Sequence, residues 1–411
     1  MPVYYVDFSG GLAQGDGLTP ESAKNSYTDL DLLPGDRVLF RRGSFVRGPL
    51  EAKEYVSYGA YGEGGLPTFC GSVDVSGAEM WRPAGEINVW KCVRGFCGDV
   101  GNLVFNAGEC TAAFRWTKEE LRFKGDFYST HVDSEQKRPD TGISELYLYS
   151  EGNPAGVYTH IEAVPYGSRS LVKLGSGMSF ESIRIMNSGV HGMAGSGDGI
   201  SVRGCVFENI GGCPWNTELK IRFGNGFEIW RSGNGILIEN CIFRNIYDSC
   251  VTHQGPGRET VPANGFTCRD CVFDTYGMAA VEYRDRLPAD SVFERNVCLN
   301  AGCGFAMLGE TEPRSSEIWP LPVGHHVFLW RIPSAEDPGR IMIRDNRFGP
   351  APSGAAVYSL ISPEAESGID LKNNRYSRDS HLISRFGGKD YSDLADFQNG
   401  TGMDPLGAYD T

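Results

Sequence analysis

The chain holds 411 residues, 40% of them hydrophobic, with 54 glycines, 12 cysteines and a formal net charge of −14. Without any Lys/Arg-rich run, that acidity makes nucleic acid and anionic membranes poor partners and disfavours a strongly polyanionic substrate. No apolar stretch approaches a membrane span, and Met1-Pro-Val-Tyr-Tyr-Val-Asp7 enters a strand-like run with no charged-then-apolar leader, so the expected setting is cytoplasmic, or secreted with the leader absent from this chain.

Residues 1–75 read as an N-terminal cap and first coils. Thr19-Pro-Glu-Ser-Ala23 carries a helix-start signal, a capping residue followed by Pro and then an acid, which predicts a short capping helix to about Leu33. Pro34-Gly-Asp-Arg-Val-Leu-Phe-Arg-Arg-Gly43 predicts a turn and a strand, and Tyr58-Gly-Ala-Tyr-Gly-Glu-Gly-Gly-Leu-Pro67 another turn-rich edge. Residues 76–165 hold stretches such as Glu145-Leu-Tyr-Leu-Tyr149, followed by Ser150-Glu-Gly-Asn-Pro154, which predict a β-rich insertion.

From 166 to 376 the chain repeats. Ser182-Ile-Arg-Ile-Met-Asn187, Gly204-Cys-Val-Phe-Glu-Asn209, Asn240-Cys-Ile-Phe-Arg-Asn245, Asp270-Cys-Val-Phe-Asp-Thr275 and Arg295-Asn-Val-Cys-Leu-Asn300 align at spacings of 22, 36, 30 and 25 residues, and Asp345-Asn-Arg-Phe348 and Asn373-Asn-Arg-Tyr376 continue the series. Asn187, Asn209, Asn245 and Asn300, with Thr275 in the fourth coil, are expected to stack at one corner, because Asn tolerates left-handed backbone and its amide bonds from coil to coil. Cys205, Cys241 and Cys271 share one inward position, and Cys298 lies in a neighbouring slot. With no CxxC pair and no Cys/His cluster at zinc spacing, mostly reduced, structural cysteines are expected. Excursions at 211–225 and 309–340 interrupt the coils, and 377–411 reads as a C-terminal cap or tail. Such an uneven repeat of short β-branched and aromatic runs predicts one all-β solenoid domain over 1–411 with capped ends.

This pattern, with Tyr4-Tyr-Val-Asp7, Pro34-Gly-Asp-Arg37 and Arg42-Gly43, resembles the right-handed parallel β-helix superfamily, which includes pectate and alginate lyases, polygalacturonases and other glycan-active enzymes. The resemblance covers most of the chain and implies a carbohydrate-active enzyme. The Asp-Pro-His-Asp of alginate epimerases and the Asn-Thr-Asp, Gly-His-Gly and Arg-Ile-Lys set of polygalacturonases are absent, so no family site residue carries over.

Register supplies the candidate site instead. A second strand follows each Asn corner, namely Val190-His-Gly-Met193, Phe227-Glu-Ile-Trp230, Val251-Thr-His-Gln254 and Val281-Glu-Tyr-Arg284. With the first residue of each inward, His191, Glu228, Thr252 and Glu282 form one outward column, and Met193, Trp230, Gln254 and Arg284 a second. Glu228 and Glu282, two coils apart, are the expected acid/base pair, and Asp248 is a third catalytic candidate that can replace either. His191, Trp230, Gln254 and Arg284 are expected to bind sugar, with Trp215 of one excursion and Trp319 and Trp330 of the other, beside His325 and His326, as walls. Asp198 reads as a turn-former, Asp285 as a loop residue beyond the strand, and His253 as inward and structural.

A glycoside hydrolase, exo-acting or directed at oligosaccharides, fits this face first. A polysaccharide lyase on a uronate-containing glycan is the second reading, with Arg284 and His191 or Tyr283 as base and carboxylates holding Ca²⁺; the hydrolase needs no cofactor and no metal. A non-catalytic glycan-binding β-helix is the third. The expected partner in every case is an oligo- or polysaccharide.

Overall fold

The computed structural model describes residues 2–130, 143–231, 233–255, 264–308, 324–330, 332, 339–360 and 368–410. Within them the chain winds into a right-handed parallel β-helix built on three long sheets of ten, ten and nine strands. One coil shows the logic. Ile236–Glu239 lies in the first sheet, Ile242–Ile246 in the second and Ser249–Gln254 in the third, each paired in parallel with its counterparts one coil away.

Two left-handed corners turn each coil. Ser182, Gly204, Asn240, Asp270, Arg295, Asp345 and Asn373 hold the first, all at φ between 52 and 58°. The second is held by Asn187, Asn209, Asn245, Thr275 and Asn300, the column expected from sequence, all with positive φ. Its amides stack as the repeat implies, Asn245 donating to Asn209 Oδ1 at 2.7 Å and Asn209 to Asn187 Oδ1 at 3.1 Å. Inside, Phe207, Phe243 and Phe273 stack at 4.5 and 5.2 Å, each buried ring adding roughly 1.5–3 kcal/mol over exposure. Cys205, Cys241 and Cys271 form the neighbouring column, which Asn296, Asn346 and Asn374 continue by bonding successive backbone N–H groups. All twelve cysteines are free, nine of them buried.

The described residues of the stretch 71–169 leave the helix between the second-sheet strand Thr68–Cys70 and the third-sheet strand Ser170–Leu174 of one coil. They fold into small, mostly antiparallel sheets with a core of their own, including Phe105, Phe114, Phe127 and Leu148. This body braces a second protrusion, the hairpin Cys213–Asn216 with Ile221–Phe223. Cys213 Sγ donates to Asp99 O at 3.2 Å, and the buried Arg222 guanidinium donates to Gly101 O at 2.7 Å. The hairpin springs from a pinch where a Cβ on Gly224 (φ +137) would lie 2.2 Å from Gly211 Cα.

The capping helix expected near residues 19–33 is absent. Asp16 Oδ1 accepts from Leu18 N and Ser22 Oγ, and Thr19 and Ser22 bond side chain to side chain, so the polar residues close a turn instead of starting a helix. Phe8 and Tyr27, packed on Phe40, cover this end. The eight-residue helix Leu394–Thr401 lies in the far, C-terminal segment, capped by Asp393 and ended by left-handed Gly402; its Phe397 packs on Tyr358, Phe386 and Tyr391.

Candidate active site

On the third sheet Phe227, Val251, Val281 and Val327 share one inward column. The next position outward is Glu228, Thr252, Glu282 and Phe328, and two residues on come Trp230, Gln254, Arg284 and Trp330. Two expectations need correction. Met193, not Val190, pairs with Phe227, so Ala194 stands in the glutamate column and Met193 is core rather than a neighbour of Trp230. The coil length explains the slip: the inward residue lies six positions after the corner residue in Asn187/Met193, Asn245/Val251 and Thr275/Val281. Trp330, with His325 and His326, belongs to the strand His325–Trp330 of the next coil, not to a loop. Trp319 lies outside the described residues.

A cavity of about 710 Å³ opens over these columns. His191, Trp215, Glu228, Trp230, Asp248, Gln254, Glu282, Arg284 and Trp330 all line it. Asp285 lines its edge, whereas His253 is fully buried in the core and Asp198 accepts from Asn234 in an exposed turn. Sequence reasoning missed Asn225, Ser249 and Arg169. The corner count of four would have found Ser249 beside His191; the hairpin hides Asn225, and Arg169 lies just before the strand Ser170–Leu174, ahead of the first repeated motif.

Both glutamates are buried and held by neutral donors. Glu228 accepts from the Asn225 side-chain amide at 2.6 Å and from the Trp230 indole N–H, and His191 Nδ1 lies 3.1 Å from its Oε2. Glu282 accepts from Trp330 Nε1 at 2.5 Å, Ser249 Oγ at 3.0 Å and Thr252 Oγ1 at 3.3 Å. Burial pushes each carboxyl up to about 7, with Asp248 adding repulsion and Arg284 pulling the other way. Half-buried Asp248 thus acts on both groups from the coil between them.

Each indole also carries a guanidinium on its face, Arg169 over Trp230 and Arg284 over Trp330, both at 4.4 Å. Trp330 stacks on Phe328 at 5.9 Å as well and is 6% exposed. Its ring is packed between Phe328 and Arg284, and its indole N–H donates to Glu282. Trp215 is partly exposed on the hairpin wall of the cavity.

No protein-family model matches the chain, and no curated protein does. Among solved structures the chain is similar to XylC in complex with xylose, with a TM-score of 0.52 and 13% identity over 92% of this chain and 61% of that one. Similarity extends to a structure described as a glycoside hydrolase, with a TM-score of 0.44 and 10% identity over 100% of this chain and 95% of that one. An exopolygalacturonase from Thermotoga maritima gives 0.39 and 12% identity over 95% and 93%. The chain spans under two thirds of the XylC structure, and likeness at this identity shows a shared parallel β-helix fold.

Proposed function

We propose that the chain is a glycoside hydrolase that cleaves short oligosaccharides or chain ends, with Glu228, Glu282 and Asp248 supplying acid/base chemistry. The carrying observation is that two buried carboxyls with raised pKa open into one walled cavity with a third carboxylate between them. Two coil steps separate Glu228 from Glu282, roughly 10 Å between backbones, which suits an inverting enzyme with room for a water. The hairpin wall favours chain ends over the middle of a polymer, and Trp215 offers a face for a sugar's C–H groups. The xylose named for the XylC structure supports a sugar substrate.

The test is a screen of the purified chain against diverse oligo- and polysaccharides with products read by mass. Hydrolysis adds one water per cleavage, and anomeric NMR of the first product reports inversion. Unsaturated, ultraviolet-absorbing products would instead establish a lyase and remove this reading.

A further inference from the structure

We propose that Glu228 is the proton donor of this site, that His191 is a positioning residue that holds the proton on it, and that Asn225 is a positioning residue that favours the anion left once the proton is passed on; the assignment rests on the glycosidase reading above. Two backbone donors decide where the hydrogens are. Ser249 N–H donates to Asn225 Oδ1 at 2.9 Å, so the amide's NH₂ end must face Glu228, where it donates to Oε2. Asn225 N–H donates to His191 Nδ1 at 3.0 Å, so that nitrogen presents a lone pair and carries no proton. The same Nδ1 lies 3.1 Å from Glu228 Oε2, with both side chains at most 5% exposed.

An ionised Glu228 would set two acceptors face to face, both on buried side chains. An imidazolium would turn its Nδ1 proton against the Asn225 N–H. A proton on Oε2 relieves the clash of acceptors by making Glu228 a second donor that shares the Nδ1 lone pair with Asn225 N–H. Glu282 differs, because its indole and two hydroxyl partners can all donate to a carboxylate at once. Glu228 then passes its proton to the glycosidic oxygen as the bond to the anomeric carbon breaks and the electron pair leaves with that oxygen. Glu282 accepts a proton from the water whose oxygen forms the new bond, and exchange with solvent restores both groups.

The charged neighbours of Glu228 are Arg169 and His191 from preceding coils and Asp248, Glu282 and Arg284 from following ones. Lys220, Arg231 and Asp285 edge the cavity, while Arg222 is turned onto backbone carbonyls. The Nδ1 contact separates the two positioning residues by sign. His191→Leu removes an acceptor of the neutral acid, so the basic limb of kcat/KM should fall by about one pH unit. Asn225→Ala removes a donor to the anion, so the limb should rise by about as much. A merely structural role does not move the limb in opposite directions.

The roles separate on two substrates of the same sugar, a glycan and a nitrophenyl glycoside whose leaving group needs no proton. Glu228→Gln should lose about 10²–10⁴-fold on the glycan and keep most of its nitrophenyl rate, whereas Glu282→Gln should lose both. Nitrophenyl rescue in Glu282→Gln instead, or limbs moving the same way, would overturn the assignment and leave the glycosidase reading standing. Wild-type protein that hydrolyses no glycan removes that reading, and ¹³C-carboxyl titration of glutamate then reads the proton directly. The resonance missing in Glu228→Gln should titrate near neutrality and drop in His191→Leu; titration in the ordinary carboxyl range would overturn the proposal.

Discussion

Two faces of one stack treat their carboxylates in opposite ways. On the first sheet Glu181, Arg203, Glu239, Arg269, Glu294 and Arg344 occupy one position on successive coils, so charge alternates at every step. Glu239 lies between Arg203 at 3.2 Å and Arg269 at 2.6 Å, and Glu294 takes Arg295 and Arg344 at 2.7 Å each. On the third sheet the matching series is Ala194, Glu228, Thr252, Glu282 and Phe328. A threonine stands where the first sheet would place arginine, both glutamates are buried, and the donors are amide, indole and hydroxyl. Since coil spacing is common to both faces, the difference is one of partners and of burial. The first-sheet carboxylates are bonded by cations, whereas Glu228 and Glu282, buried and bonded by neutral donors, have their carboxyls pushed up to about 7.

The largest expected effect is catalytic. Glu228→Gln and Glu282→Gln should each lower glycan hydrolysis by about 10²–10⁴-fold, while Glu239→Gln on the first sheet should leave it unchanged in the same assay. Equal losses on both faces would break the contrast. Thr252→Arg sharpens it by building the first sheet's alternation into the third. With a guanidinium between Glu228 and Glu282, both should ionise at lower pH and hydrolysis should fall by at least about 10²-fold.

The coil pattern, the Asn corner and the columns from residue 227 onward were legible in the sequence because side-chain alternation and stacking repeat with the coil. Other features depend on contacts that no repeat encodes. Asn225 follows a hairpin whose length shifts the count, and His191 reaches Glu228 from a neighbouring column through its side chain. The Thr19 segment carries a sound helix-start signal, yet Asp16 and Ser22 bond locally and win. Trp330 was recognisable as a site residue, but its packing between Phe328 and Arg284 exists only in the assembled coils.

Next in size is a pH effect on stability. Glu228 and Glu282 bind their protons more tightly folded, at about 7, than at the ordinary value of 4.5. The folded state therefore holds more protons between those values, and stability falls as pH rises from about 4.5 to 7, by roughly 3 kcal/mol for one such group. Glu282→Gln removes the charged form. Its melting temperature should match wild type at pH 5 and exceed it by a few degrees at pH 8. A match at both values would show that Glu282 is not desolvated and would erase the distinction between the faces.

The smallest effect belongs to the first sheet. Arg269 binds Glu239 but keeps 36% of its side chain exposed, and Glu239 retains Arg203 as a second partner. Solvent screens the pair, and ordering two long side chains offsets much of the Coulomb gain, so Arg269→Met should cost at most about 1 kcal/mol. That loss should shrink in high salt, because exposed charges are screened over a Debye length of about 10 Å at 0.1 M. The pH-dependent loss at Glu228 and Glu282 originates in burial and should persist in the same salt. Measuring urea midpoints of Arg269→Met and Glu282→Gln at pH 8, with and without added salt, sets the two faces against each other on one scale. A salt-insensitive loss in Arg269→Met would mean that the first-sheet ladder is desolvated too, and that the absence of a cation, rather than burial, marks the third sheet.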